Sequence, residues 1–142
     1  MREVFLLVDD NQNVLWSDAS DSPVLLPDSR ARWEAIWSRR DRIAEIVHSH
    51  PVGPLAFSRE DETTMAALVS ALGKPMTFAV VAPHGIVRRV QRLASDEGPP
   101  APDEVLSGAE PWWAALLRMA SGMSRDKARP AVAERSEKEK IP

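Results

Sequence analysis

Residues 48–61 of this chain read HSHPVGPLAFSRED, and the elements on either side of this stretch decide the fold. Residues 43–48 read IAEIVH, a mainly apolar run that is typical of a buried strand. Ser58 has the position of a helix N-cap, and apolar residues then recur at helical spacing as far as Gly73. We therefore predict a strand that delivers two histidines to its end, a proline-rich loop, and a helix that begins at Ser58.

The two histidines and the residues that follow them have the spacing of a metal site. His48 and His50 are two residues apart, so both side chains point to the same face of a strand. Asp61 can supply a carboxylate as the third of the three protein ligands that catalytic zinc uses. Ser58 can donate a hydrogen bond to a developing oxyanion. Two simpler interpretations stay open, because Ser58-x-x-Asp61 also resembles a helix capping box and a His-x-His pair is often structural.

Strand patterns surround this stretch on both sides. Residues 4–8 and 14–16 predict a hairpin, and the first run is apolar throughout, as in a strand that is covered on both faces. Residues 24–26 are interpreted as a short strand and residues 76–82 as a buried one. Residues 86–93 carry three arginines and predict a more exposed or edge strand. His84 falls in a Pro-His-Gly turn, where we expect a surface role.

Two further helices are predicted from apolar spacing. Asp28 or Ser29 can cap the first, whose buried face would carry Trp33, Ile36, Trp37 and Arg40, with both tryptophans in the core. The second would bury Trp113, Leu116, Leu117 and Ala120 against the domain or against a partner. The predicted organisation is a core over residues 1–93, a linker over 94–109, an amphipathic helix over 110–123 and a charged, disordered tail over 124–142.

Composition excludes several classes of function. A chain of 142 residues is long enough for one domain with its own core. It contains no cysteine, so a metal would need His, Asp or Glu ligands, and disulfides are excluded. The net charge of −3 gives no electrostatic footprint for nucleic acid or anionic membranes. Because neither a secretory signal nor a run of about 18 apolar residues is present, we expect a cytoplasmic protein without membrane spans.

The motif His48-Ser49-His50-Pro51, followed after six residues by Ser58-x-x-Asp61, resembles the signature of the JAMM metalloproteases. These are the active members of the MPN (JAB-domain) superfamily, zinc-dependent peptidases and isopeptidases that often act on ubiquitin or ubiquitin-like proteins. The resemblance implies that His48, His50 and Asp61 bind Zn²⁺ and that Ser58 assists the transition state. It also implies an α/β fold of the α+β type, a mixed, curved sheet between helices similar to the zinc deaminases.

The family also uses an upstream glutamate as the base toward water. Glu45 lies three positions before His48, so it would point to the opposite face of the strand. Glu34 falls in the first predicted helix, where we expect it to be solvated. Glu3 opens the first apolar strand and resembles the family pattern, so we assign the base to Glu3. Family members usually carry a helix before this glutamate, whereas this sequence begins Met-Arg-Glu.

Two alternative functions stay open at this point. Parts of the chain also resemble the RadC-type branch of the superfamily, which is linked to DNA metabolism, although Ser49 between the histidines favours the peptidase branch. A non-catalytic MPN scaffold is the second alternative, with the Trp112-Trp113 helix and the charged tail as its partner element. The leading hypothesis is a hydrolase of peptide or isopeptide bonds that releases a ubiquitin-like or sulfur-carrier protein. A nucleic-acid partner is not expected, and a homodimer is left open.

Overall fold

The computed structural model describes residues 1–24 and 29–123, which form one mixed six-stranded sheet with helices packed against it. The strands are β1 (Val4–Val8), β2 (Val14–Ala19), β3 (Glu45–Ser49), β4 (Met76–Ala82), β5 (Gly85–Gln91) and β6 (Glu104–Val105). The helices in the described ranges are α1 (Arg30–Ser38), α2 (Arg59–Leu72) and α3 (Trp112–Ser121). The predicted α+β class is confirmed.

The strand order brings distant parts of the sequence to one end of the sheet. The order is β2-β1-β3-β4-β5-β6. Strands β3 and β4 are parallel, and α2 is the crossover that such a pair requires. Strand β1 runs antiparallel to β3, with Phe5 opposite His48. The residues just before β1 therefore lie beside the residues just after β3.

Each face of the sheet has its own apolar cluster because side chains alternate along the strands. The first cluster packs β1, β3 and β4 against α1 and α2, and it includes Phe5, Leu7, Ile36, Ile46, Met65, Leu68 and Phe78. The second packs the alternate residues against α3, and it includes Val4, Leu6, Val47, Ala79, Val81, Trp113 and Leu117. All five residues of β1 are buried, as predicted for a strand covered on both faces.

Local signals placed the hairpin and α2 correctly. Strands β1 and β2 pair antiparallel across a turn in which Asp9 accepts from the backbone of Asn11 and Asn13. Helix α2 begins after the N-cap Ser58 and ends at Gly73, whose φ of 72° closes the helix in the left-handed conformation. The two ends of α2 were therefore predictable from residue type alone.

The prediction that Trp33 and Trp37 belong to the core is wrong. Their exposures are 40% and 43%, and the buried residues of α1 are Ala35 and Ile36. The two indole rings are neighbours at i and i+4, so they stack on each other with centroids 5.9 Å apart. Arg40 covers the Trp37 ring from 4.1 Å. The small Ala35 side chain and Ile36 face the sheet instead.

Two further expectations about exposure are corrected by tertiary packing. Strand β5 is not the edge at Val87 and Arg88, because β6 pairs with it there from within the predicted linker. A two-residue strand is too short to leave a pattern in the sequence. In α3, Leu116 is exposed while Trp113 and Leu117 are fully buried, so the packed face is rotated from the predicted one.

Several expectations lie outside the described residues. They are most of the short strand over 24–26, the cap candidate Asp28, and the tail over 124–142. The alternative cap, Ser29, accepts from the backbone N–H of Arg32 and begins α1. His84 is exposed in the β4–β5 turn, as expected for a surface role.

Candidate metal centre

Three separate elements bring the predicted site residues together. His48 lies in β3 and His50 directly follows it, on the same face of the sheet. The antiparallel pairing of β1 with β3 places Glu3 beside His50. Asp61 comes from the first turn of α2, which the loop after Pro51 folds back over the end of the strand. The cluster is therefore a product of sheet register and of the position of one helix.

The candidate ligand atoms are close to one another. The Nε2 atoms of His48 and His50 are 3.2 Å apart. Asp61 places Oδ1 3.1 Å from Nε2 of His48 and Oδ2 3.3 Å from Nε2 of His50. Glu3, His48 and His50 offer ligand atoms that all lie within 4.8 Å of one another, so this group could hold a metal ion. Four of the predicted side chains thus converge on one point.

Contacts outside this group fix the orientation of its members. The Nδ1 atom of His50 lies 2.9 Å from the carbonyl oxygen of Pro54, to which it donates when protonated, leaving Nε2 for a metal. Asp61 Oδ2 accepts from the backbone N–H of Ser58 at 2.8 Å, and Ser58 Oγ accepts from the backbone N–H of Asp61 at 3.0 Å. The capping box is therefore present, and it holds the carboxylate that faces the histidines.

A model of the family described as prokaryotic homologs of the JAB domain matches residues 4–96. The chain belongs to this family. The match begins one residue after Glu3 and includes both histidines, Ser58 and Asp61. No curated protein and no solved structure gives a significant match to the chain. In the part of the chain that the structure describes, no helix is long and apolar enough to cross a membrane.

Two other glutamates of this JAB domain lie away from the candidate metal centre. Glu45 is on the opposite face of β3, where its carboxylate accepts from Arg88 Nε at 2.9 Å and from Nη2 at 3.2 Å. Burial raises the pKa of Glu45, and the bonds from Arg88 offset part of that rise. Glu34 is solvent-exposed and pairs with Arg30 one turn before it. Among the glutamates upstream of His48, Glu3 is the one that lies beside the histidines.

The pKa values of the residues in the candidate metal centre of this JAB domain are shifted in different directions. Burial raises the pKa of Glu3, and the neighbouring imidazoles offset part of that rise. Burial alone would raise the pKa of Asp61, but hydrogen bonds with His48 and His50 outweigh it and hold the pKa well below its usual range. Burial alone would lower the pKa of His50, but its bonds to Asp61 and Pro54 raise it. Asp61 is thus the anion of the cluster, while Glu3 holds a proton more readily than an exposed glutamate.

The cluster opens into a cleft of about 700 Å³ between α1, α2 and the sheet. Its apolar wall includes Phe5, Ile46, Met65, Leu68 and Phe78. Its polar wall includes Ser58, Thr63, Thr64 and Arg32, which pairs with Asp18 at 3.0 Å. Sequence reasoning missed Arg32 and the threonines as cleft residues, because their position depends on how the two helices pack.

The loop between His50 and Ser58 is fixed at two further points. Leu55 packs against Gly85 so closely that a Cβ at Gly85 would lie 2.7 Å from a Leu55 methyl carbon. The Phe57 ring lies under the guanidinium of Arg89, 4.9 Å from its centroid. Arg89 also forms an ion pair with Glu62, next to Asp61. Strand β5 therefore anchors both the loop and the start of α2.

Proposed function

We propose that this chain is a zinc-dependent metallohydrolase of the JAMM type that cleaves a peptide or isopeptide bond. The observation that carries the proposal is the convergence of His48, His50, Asp61 and Glu3 at one end of the cleft. Membership of the prokaryotic JAB family supports the same chemistry. Under this proposal His48, His50 and Asp61 are the metal ligands, and Glu3 and Ser58 are catalytic.

The geometry of the ligand atoms fits zinc. Tetrahedral ligand atoms about 2.0–2.1 Å from a zinc ion lie about 3.3 Å from one another. The two Nε2 atoms are 3.2 Å apart, and Asp61 places one oxygen, Oδ1, 3.1 Å from Nε2 of His48 and the other, Oδ2, 3.3 Å from Nε2 of His50. Two imidazole nitrogens and one carboxylate are also a donor set that catalytic zinc sites use. With no cysteine in the chain, a thiolate site is excluded.

Glu3 is proposed to move the proton during hydrolysis. Zinc at this site would supply Lewis acidity, activating water near neutral pH and polarising the scissile carbonyl. Glu3 accepts the proton that the attacking water loses and delivers it to the leaving amine. Burial of Glu3 favours the protonated carboxyl between these two steps, whereas the charge of a bound zinc ion would favour the carboxylate that accepts the proton.

Ser58 is proposed to have two roles that do not compete. Its oxygen accepts from the backbone of Asp61 in the capping box. A hydroxyl can donate while it accepts, so its proton remains available for an oxyanion that develops in the cleft. The capping box also keeps that hydroxyl in place, because its two hydrogen bonds join Ser58, the N-cap of α2, to the proposed metal ligand Asp61.

The proposed substrate is a protein or peptide. The resemblance to JAMM enzymes suggests the extended C-terminal tail of a ubiquitin-like or sulfur-carrier protein, and an open cleft with one apolar wall supports an extended chain as the substrate. The convergent ligand atoms argue against a purely non-catalytic scaffold. The net charge of −3 offers no support for the RadC-like alternative in DNA metabolism.

The test is hydrolysis of a ubiquitin-like protein fused through its C-terminal glycine to a reporter. We expect the purified chain to contain about one zinc ion, and we expect cleavage to stop with a chelator and return with Zn²⁺. His50→Ala should abolish both zinc content and cleavage. His84→Ala is the matched control, since this histidine is exposed in a turn, and it should retain both. A chain without zinc, or a His50→Ala variant with unchanged cleavage, would contradict the proposal.

A further inference from the structure

We propose that the C-terminal end of α3 positions Glu3 for proton transfer, with Ser121 and Ser49 as the positioning residues. The inference rests on the proposed role of Glu3 as the base. The backbone of Glu3 itself is bonded to the residues that follow β2, since its N–H donates to the carbonyl oxygen of Ser22 and its carbonyl oxygen accepts from the N–H of Ser20. The residues on either side of Glu3 have further contacts, with α3 and with Ser49, and the contacts with α3 join residues almost 120 positions apart in the chain.

The backbone amides on both sides of Glu3 are bound to this support. The N–H of Arg2 donates to the carbonyl oxygen of Ser121 at 3.0 Å. The N–H of Val4 donates to Ser49 Oγ at 2.8 Å. The N–H of Glu3 itself donates to Ser22 at 2.8 Å. Three successive amides thus have fixed acceptors, and Ser121 and Ser49 supply two of them.

The two serines are joined to each other. Ser121 Oγ donates to Ser49 Oγ at 2.7 Å, and both side chains are fully buried. The ladder between β1 and β3 ends at the Phe5–His48 pair. One residue beyond this pair, the Ser49 hydroxyl takes the place of a backbone carbonyl as the acceptor for β1. The hydrogen-bonded path therefore runs from α3 through Ser49 to the amide next to Glu3.

A second set of contacts ties the N-terminus to the same helix end. Arg2 Nε donates to the carbonyl oxygen of Ala120 at 3.1 Å. A Cβ at Gly122 would lie 3.5 Å from the Cα of Met1, so the end of α3 and the first residue are in contact. These contacts would restrain the backbone that leads into Glu3 even if one serine were lost. We therefore expect partial rather than total effects from single substitutions.

Helix α3, to which these N-terminal residues are bonded, is itself held in place by buried contacts. Trp113 and Leu117 are fully buried in the cluster on that face of the sheet. The buried guanidinium of Arg118 donates to the carbonyl oxygens of Ala82 at 3.1 Å and Gly85 at 3.3 Å. The helix is thus attached to the β4–β5 turn as well as to the N-terminus. Motion of its last turn would require these buried contacts to break.

Ser49 sits between the two histidines and points away from them. His48 and His50 face the cleft, so the side chain between them faces α3. One residue of the His-x-His motif thus binds the backbone that carries Glu3, while its neighbours face the metal. Loss of this bond would let Glu3 shift relative to the histidines. The histidines would keep their own contacts to Asp61 and Pro54.

The kinetic test uses the full chain loaded with zinc. Because a small displacement of a catalytic group is costly, Ser121→Ala should lower kcat about tenfold and leave KM and zinc content unchanged. Ser70→Ala, at an exposed position in α2, is the matched control and should have no effect. In a Glu3→Gln background, Ser121→Ala should cause no further loss of the residual rate, measured with enzyme in excess. An equal loss in both backgrounds, or no loss in either, would overturn the proposal.

A second readout needs neither substrate nor metal. Amide hydrogen exchange at Val4 should be faster in Ser49→Ala, which removes the acceptor of this amide, and to a smaller extent in Ser121→Ala, which removes the bond that holds the Ser49 hydroxyl. Exchange at Leu6 and Leu7 in β1 should be unchanged. Unaltered exchange at Val4 in both variants would overturn the proposal whatever the kinetics. If the wild-type chain cleaves no substrate, the proposed function fails, and exchange alone decides whether α3 restrains Glu3. Thermal melting confirms that each variant is folded.

Discussion

Both faces of strand β3 carry polar residues, but these residues lie in different environments. On one face His48, followed by His50 beyond the strand, opens onto a cleft, and these side chains contact each other and Asp61. On the other face Glu45 and Ser49 are buried, and each has a fixed partner from a different element. The same five-residue strand therefore supplies both an accessible site and its internal support.

This difference separates the candidate metal ligands from polar groups that hold the fold. A buried polar group without a partner is costly, so the fold satisfies Glu45 with Arg88 and Ser49 with Ser121. The histidine Nε2 atoms contact each other and the Asp61 carboxylate, which also accepts from the backbone N–H of Ser58. Convergence on an open cleft is what distinguishes the candidate site from an ordinary buried network.

The largest expected contrast is between the two glutamates that lie near opposite faces of β3. Glu3→Gln should lower kcat by about 10²–10⁴-fold, since it removes the general base, while zinc content is retained. Glu45→Gln should leave kcat unchanged and lower the free energy of unfolding by about 1–3 kcal/mol, because it weakens a charged hydrogen bond with Arg88. Steady-state kinetics and urea unfolding on both variants test this. Loss of kcat in Glu45→Gln with activity retained in Glu3→Gln would reverse the assignment.

The next contrast lies within α3, where two adjacent tryptophans bond the same residue. Trp112 Nε1 donates to the carbonyl of Gln12 at 2.7 Å, and Trp113 Nε1 donates to its side-chain oxygen at 2.8 Å. Trp112 is 57% exposed, whereas Trp113 is 0% exposed. Trp113→Ala should lower the free energy of unfolding by about 3–5 kcal/mol, because it opens a cavity. Trp112→Ala should cost only about 1 kcal/mol, the value of its hydrogen bond.

Denaturant unfolding of these two variants measures how much α3 contributes to the stability of the sheet face that it covers. Each tryptophan donates one hydrogen bond to Gln12, so both variants lose one such bond. The difference between their losses of unfolding free energy therefore reports the contribution of burying Trp113. Equal losses of stability would mean that α3 does not contribute a buried anchor to this face. In that case its proposed role in restraining Glu3 would also lose its basis.

The smallest contrast compares two serines that cap helices. Ser58 Oγ accepts from the backbone N–H of Asp61 at 3.0 Å, and Ser29 Oγ accepts from that of Arg32 at 3.2 Å. Either substitution by alanine should cost about 1 kcal/mol of stability. Only Ser58→Ala should also lower kcat, by about 10²-fold, because only Ser58 faces the cleft. If both variants keep full activity in the folded state, Ser58 is a cap and nothing more.

Sequence reasoning reached the elements whose signals are local. The alternation of side chains along a strand predicted that His48 and His50 share a face and that Glu45 lies on the opposite one. The structure has Glu45 on that opposite face, bonded to Arg88. The N-cap Ser58 and the terminal Gly73 fixed both ends of α2. These features depend on residues within a few positions of each other, so a single sequence contains them.

The features that sequence reasoning missed depend on packing between distant segments. Trp33 and Trp37 have core spacing, yet they stack on each other outside the core. Strand β6 forms only because β5 lies beside it. The bond between Ser49 and Ser121 joins residues 72 positions apart and has no local signal. The support of Glu3 by a C-terminal helix was therefore not predictable from its own surroundings in the sequence.

The central claim is that His48, His50 and Asp61 bind one zinc ion within reach of Glu3. Anomalous diffraction from crystals of the full chain, recorded on both sides of the zinc absorption edge, tests it directly. We expect a single peak at the meeting point of the two Nε2 atoms and the Asp61 carboxylate, and we expect this peak to be absent from His50→Ala crystals. A peak bound elsewhere in the chain, or no peak in crystals grown with Zn²⁺, would contradict it.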